Sequence, residues 1–246
     1  MDEPQILVET QDIIAVDKPA GLIAHSDGRT EEPSLAEWLI ARCPFLAEVG
    51  EPWVSPQGES VRVGGLVHRL DRGTSGILVA AKSNEIFAYL RSEFRARRVE
   101  KTYHAYVYGH MDAAVGRIVA EIARSGGQPK RWYAHMCEEA DARAAITNWK
   151  LVENTADPAT GEDAALLELT PETGRTHQIR VHLASIQHPI VADHLYAAER
   201  PSILGFERLA LHASRIALTL PSGERVEYEV SLASDFPASA IQRNVF

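Results

Sequence analysis

Cysteine is scarce: Cys43 and Cys137 are the only two in 246 residues, far apart in the chain. They form no CxxC pair and no zinc-finger spacing. The expectation is two reduced thiols, not a disulfide framework or a structural zinc. No run approaches the ~18 consecutive apolar residues of a membrane-spanning helix. The N-terminus, MDEPQILVET, is acidic and lacks the basic-then-apolar order of a signal peptide. A cytoplasmic location with no membrane partner is therefore expected. Positive charge is also in deficit, with 25 Lys and Arg against 34 Asp and Glu, net −9. This excludes histone-like and basic-tail binders, but not a confined basic patch, because affinity follows local charge and not the total. The sequence has no internal repeat, GxSxG, Walker A loop, HExxH, or GxGxxG after a strand. Serine hydrolase, NTPase, zincin and dinucleotide readings thus lose their usual support.

What remains is an ordinary globular composition, 45% apolar and 24% charged. A chain of this length buries ~70–75% of its unfolded surface and needs no metal to hold a core. Loop signals at 44–65, 124–130 and 154–163 are too short to separate domains, so 1–246 reads as a single domain, of one lobe or two. Ile13–Val16 reads as a short strand ending at a Pro-Ala-Gly turn. Ser34 and Glu37 form a capping-box pattern opening a helix to about Arg42. Ile77–Ala81 is a continuous apolar run, as in a strand buried on both faces. Ser83 caps a second helix with Ile86, Phe87, Leu90 and Phe94 inward and Arg91, Arg95 and Arg98 on an outward stripe. Strand signals follow at 101–109, 116–123, 143–152, 165–170, 208–219 and 225–231, with a helix at 176–187. Strict βαβα alternation is absent. The expected class is α+β with a largely antiparallel sheet.

Four segments could carry chemistry. In LVHRLDRGTSGILVAAK (66–82) a polar loop precedes the buried strand, and Asp71 stands between Arg69 and Arg72. A carboxylate beside fixed cations stays ionised and can act as nucleophile, base or metal ligand. The alternative is a cap on the Gly73–Gly76 turn. In TPETGRTHQIRVHLASIQHPIVA (170–192), Arg175, His177, Arg180 and His182 crowd a helix start. Helix N-termini carrying arginines bind anions; a solvated basic face is the alternative. With a helix from Thr176, Arg180 falls in its second turn. Tyr103 in KTYHAYVYG is either a core tyrosine or a platform for a flat ring, with a phenol that can move a proton. Arg124–Tyr133 interleaves basic and aromatic residues, including Lys130 and Arg131, which suits phosphate and base contacts. The histidine spacings do not form a metal set, and no metal is expected.

Together these motifs resemble the RluA branch of the RNA pseudouridine synthases. DKPAG (17–21), HRLDRGTSG (68–76), KTYHAYVYG (101–109), TGRTHQIRVHLA (173–184), HPIVAD (188–193) and RLALHA (208–213) match that family's motifs in order. The resemblance implies a long, mainly antiparallel sheet in two halves with surrounding helices and an active cleft across the middle. It implies that Asp71 is the nucleophile, that Arg69 probes the RNA, and that Tyr103 stacks on the uracil and is a candidate base for the C5 proton. It also implies that Arg180 salt-bridges Asp71. Arg175, His177, Lys130 and Arg131 are the expected RNA contacts. The implied partner is a structured RNA, ribosomal or transfer, with no cofactor, no obligatory protein partner and a monomeric state. A non-catalytic RNA-binding or chaperone protein on the same fold is the main alternative; a metal-dependent phosphodiesterase is a third. Two departures stand out. The first motif begins at residue 17, so the small N-terminal RNA-binding domain of many relatives is not expected. Ala192 stands where relatives often have Gly, with a small backbone consequence expected.

Overall fold

The computed structural model describes residues 2–26, 32–54, 58–124, 132–135 and 143–237. In chain order the elements are β1 (Gln5–Glu9), β2 (Ile13–Lys18), α1 (Leu35–Arg42), β3 (Trp53–Val54), β4 (Ser60–Val61), β5 (Ser75–Ala81) and α2 (Asn84–Arg95). There follow β6 (Glu100–Tyr108), β7 (Val115–Arg124), β8 (Trp132–His135), β9 (Arg143–Ala156), β10 (Asp163–Pro171), α3 (Gln178–Ser185), β11 (Leu211–Thr219) and β12 (Arg225–Glu229). The class is α+β with a mainly antiparallel sheet, as the sequence leads one to expect. The chain divides into two compact units. Unit 1 is Met1–Glu100 with Arg215–Val230; unit 2 is Lys101–Ser214 with Ser231–Phe246.

In unit 1, β2 pairs antiparallel with β1 on one side and with β5 on the other, in register from Ile13↔Ala81 to Lys18↔Gly76. All seven residues of β5 are buried, which explains its unbroken apolar run. The capping box forms: Ser34 N–H donates to Glu37 Oε2 at 2.9 Å, and Glu37 N–H donates to Ser34 Oγ at 3.2 Å. Such a cap stabilises a helix by ~1 kcal/mol. Ser83 likewise accepts from Ile86 N–H at 3.2 Å. On α2, Phe87 and Leu90 are buried, while Ile86 and Phe94 are half-buried.

The outward arginine stripe needs correction. The helix stops at Arg95, and Arg97 adopts a left-handed φ of 60°. Arg97 N–H then donates to Phe94 O and Arg98 N–H to Glu93 O, the Schellman pattern of a helix end. The turn sends the Arg98 guanidinium back to the buried Glu93 carboxylate in a two-point ion pair. Arg98 is therefore a helix-end clasp and not a third member of the stripe.

In unit 2, antiparallel pairings run β6 to β10, β10 to β9, β9 to β7 and β7 to β8. Its core gathers Tyr106, Tyr108, Leu166, Leu167, Phe206 and Phe236, all 1% exposed or less. Helix α3 begins at Gln178, two residues later than its pattern suggests, because His177 is left-handed with φ 55°. Arg180 consequently lies in the first turn and not the second.

Candidate active site

The loop Leu66–Thr74 leads into β5, and unit 1 fixes it from several sides. Gly65 at its root has φ 74°, and a Cβ there would lie 2.3 Å from Ala81 O, so only glycine lets the loop start beside the strand end. His68 uses Nε2 to accept from Val79 N–H at 3.1 Å, and its ring stacks on Phe94 at 4.8 Å. Leu70 is buried, Asp71 half-buried and Arg69 exposed. Thr74 N–H donates to the Asp71 carbonyl at 3.1 Å, so the main chain closes this turn.

The loop is also held by Lys18, a residue to which the sequence reading gives no role. Lys18 is 0% exposed. Its Nζ donates to Pro19 O and Leu22 O at 2.8 Å each and to Arg72 O at 3.3 Å. Gly21 N–H donates to the same Arg72 carbonyl at 2.8 Å. One buried ammonium thus ties the DKPAG turn to the residue next to Asp71. Buried lysine is rare unless its charge is met by acceptors, and the carbonyls of a tight turn are those acceptors. The signal in the sequence is a lone Lys at the end of an apolar strand immediately before Pro.

In unit 2, Tyr103 is half-buried on β6, opposite Leu169 of β10. Lys101 shares its strand face by the two-residue alternation, and burial pulls its ammonium down to about 8. The turn before α3 is set by a buried amide. Gln178 Oε1 accepts from Thr173 Oγ1 at 2.7 Å and from Arg175 N–H at 3.0 Å. Gln178 Nε2 donates to Ile146 O and to Thr147 Oγ1 at 3.0 Å each. His182 Nδ1 lies 2.9 Å from the same Thr147 hydroxyl. All four positions of the Gln178 carboxamide bonding pattern are therefore taken, which rigidifies the segment bearing Arg175 and His177.

Arg180 is anchored by a partner outside the sequence expectation. Its Nε and Nη2 donate to Asp193 Oδ2 and Oδ1, both at 2.8 Å. The Asp193 side chain is 0% exposed and that of Arg180 12%. Burial, the largest single influence, would raise the Asp193 carboxyl; the Arg180 hydrogen bonds and charge, with the Leu195 and Tyr196 N–H groups, together outweigh it and hold the carboxyl below the ordinary range. Asp193 Oδ1 also accepts from Leu195 and Tyr196 N–H at 3.0 and 3.1 Å. Lys130 and Arg131 lie outside the described residues. Among the described residues, no group of three His, Cys, Asp or Glu is placed to hold a metal ion.

A loop that presents a carboxylate on a fixed turn, a strand tyrosine and a forked arginine on a rigid helix start are the elements named by the resemblance. The profile of the RNA pseudouridylate synthases matches residues 12–185. The chain belongs to this family. It is an RluA-type RNA pseudouridine synthase, an isomerase that acts on RNA. An uncharacterized RNA pseudouridine synthase of Mycobacterium bovis is 37% identical over 237 residues, covering 95% of this chain and 69% of that protein. The ribosomal large subunit pseudouridine synthase D of Zymomonas mobilis is 30% identical over 247 residues, covering 95% of this chain and 72% of that protein. The solved structure of human RNA pseudouridylate synthase domain containing 1 superposes with a TM-score of 0.73 at 24% identity, covering 97% of this chain and 86% of that one. That likeness is one of fold.

Proposed function

We propose that the enzyme isomerises one or more uridines of a structured RNA, ribosomal or transfer, with Asp71 as nucleophile and Tyr103 and Arg180 as its catalytic companions. In this reading the target base leaves its stack before reaction, at a cost of a few kcal/mol that looped RNA reduces. The N1–C1′ bond breaks, the uracil turns, C5 bonds to C1′, and the C5 proton departs. Tyr103 stacks on the ring and is the candidate base for that proton. Whether Asp71 meets the sugar carbon, the ring or a sugar proton, each route requires its ionised form. The family pattern pairs Arg180 with Asp71 as the charge that keeps it ionised, and this pairing belongs to the proposal. Arg69 probes the duplex; Arg175, His177, Lys130 and Arg131 contact the RNA.

The observation that carries this reading is the HRLD motif, within the family match, on a loop fixed by the buried Lys18. The names of the Zymomonas relative and of a Yersinia pestis relative, 32% identical, favour large-subunit ribosomal RNA as the first RNA to examine.

The test is pseudouridine mapping of total RNA from a deletion strain, complemented with wild type or with Asp71→Asn. The expected result is a uridine that loses modification and regains it only with wild type, while Asp71→Asn protein still binds that RNA. Restoration by Asp71→Asn overturns the nucleophile. An RNA-dependent phenotype rescued equally by Asp71→Asn, with no site changed, favours the non-catalytic RNA-binding alternative.

A further inference from the structure

Tyr196 stands where three parts of unit 2 meet. Its hydroxyl accepts from Trp132 N–H at 3.0 Å, at the start of the edge strand β8. The same hydroxyl lies 3.0 Å from His177 Nδ1, and the two rings meet edge-on at 87°. The Arg180 guanidinium lies over the Tyr196 ring, 5.1 Å from its centroid. Its own main-chain N–H is held by Asp193 Oδ1, the carboxylate that forks Arg180. The ring also packs against the small apolar cluster of Ile122, Ala145 and Val181, with Trp132 and Ala134.

These contacts divide by chemistry. The hydroxyl accepts the Trp132 N–H and shares a hydrogen bond with His177 Nδ1, whose direction follows the imidazole tautomer. The hydroxyl therefore ties the edge strand to an imidazole to which the proposed function assigns RNA contact. The ring face carries a cation–π contact to Arg180, which the Asp193 fork also orients. His177 holds a left-handed φ of 55°, a backbone conformation uncommon outside glycine.

We propose that Tyr196 is a positioning residue with two separable ends: its hydroxyl sets His177 and strand β8 for RNA engagement, and its ring sets the Arg180 guanidinium for turnover. This rests on the functional reading above, so its test carries a readout independent of activity. The variants are Tyr196→Phe, which removes only the hydroxyl, and Tyr196→Leu, which also removes the ring. The first readout is amide hydrogen exchange at Trp132 in the intact chain. Tyr196→Phe should exchange there about tenfold faster than wild type. Unchanged exchange overturns the hydroxyl's role whatever the activity.

The second readout is tritium release from [5-³H]uridine-labelled total RNA prepared from cells lacking the protein. Tyr196→Phe should raise KM about fivefold to tenfold and lower kcat by less than about threefold. Tyr196→Leu should in addition lower kcat by about tenfold or more. Equal behaviour of the two variants, or a loss in Tyr196→Phe confined to kcat, overturns the division of roles. No release by wild type would overturn the proposed function instead, and the exchange rate at Trp132 would still decide the role of the hydroxyl.

Discussion

Arg180 and Asp193 meet as two planar forks, each of two N–H groups donating to its own carboxylate oxygen at 2.8 Å. Both side chains are nearly or wholly removed from solvent. Bidentate geometry gives orientation as well as attraction. Removing the charge from one partner of a buried pair typically costs ~3–5 kcal/mol. Asp193→Asn keeps the shape and the oxygen that receives Leu195 and Tyr196 N–H, but it removes the charge and sets an amide donor against Arg180 Nε–H. Urea denaturation should show a destabilisation of about 3 kcal/mol, together with a fall in kcat. A loss below about 1 kcal/mol would mean that the fork contributes little.

Lys18 provides a second prediction. Lys18→Met keeps the length and apolar body of the side chain but takes the Nζ donor from the carbonyls of Pro19 and Leu22, while the Arg72 carbonyl keeps Gly21 N–H. Buried acceptors left unmet cost ~1–3 kcal/mol each before relaxation. The expected outcome is a destabilisation of about 2–4 kcal/mol, with kcat reduced more than KM is raised, because the loop that loosens carries Asp71. Unaltered stability would show that the turn closes without the ammonium.

The third concerns pH. His182 is wholly buried, and burial lowers its imidazole from the ordinary 6.5 to about 4. The folded protein therefore resists a proton that the unfolded chain accepts. The stability arising from neutral His182 is fully present above pH 6.5 and is lost progressively as pH falls towards 4. The full span amounts to about 3 kcal/mol at one site. His182→Asn retains a polar partner for Thr147 without titrating. Its stability should fall less steeply between those limits, by about one proton in the slope. Identical slopes would place the acid sensitivity elsewhere, with His212, lowered by burial to about 3, the next group to test.

Ala192 yields the fourth. Its φ is 56°, the left-handed region that favours glycine, and its side chain is buried. Ala192→Gly removes that strain but also a buried methyl and some restriction of the unfolded chain. Thermal and urea melts should find it within about 1 kcal/mol of wild type. Ala192→Val should cost about 2–3 kcal/mol, because a β-branched residue tolerates this backbone far less. Equal effects of the two substitutions would mean that backbone strain is not what distinguishes them.

Much of this architecture was legible where a local pattern has a local cause. Ser34 and Glu37 announce their helix because both halves of the capping box lie within four residues. Ile77–Ala81 announces a buried strand because burial on both faces leaves no place for polar residues. The boundaries that slipped have non-local or unusual causes. Arg97 and His177 take left-handed angles uncommon outside glycine, and each displaces a helix end. Strands β3, β4 and β8 are two to four residues long, too short for a period to show. Within the site, the motif residues stood out by type and spacing. Their supports did not: Lys18 reads as the polar end of a strand, and Asp193 and Tyr196 lie a dozen or more residues from the arginine they hold.

The division of unit 1 into Met1–Glu100 and Arg215–Val230 has a consequence for synthesis. Its second portion, which supplies the β11–β12 pairing from Arg215↔Glu229 to Thr219↔Arg225, is translated only after all of Lys101–Ser214. At ~5–20 residues per second, that interval is roughly 6–23 s. During it the HRLD loop and its lysine anchor already exist as chain, but their unit lacks its last strands. Unit 2 also waits, because Leu232 and Phe236 of its core follow those strands. Neither unit is a contiguous stretch that the ribosome finishes before starting the other, so both are completed within the same few residues of translation.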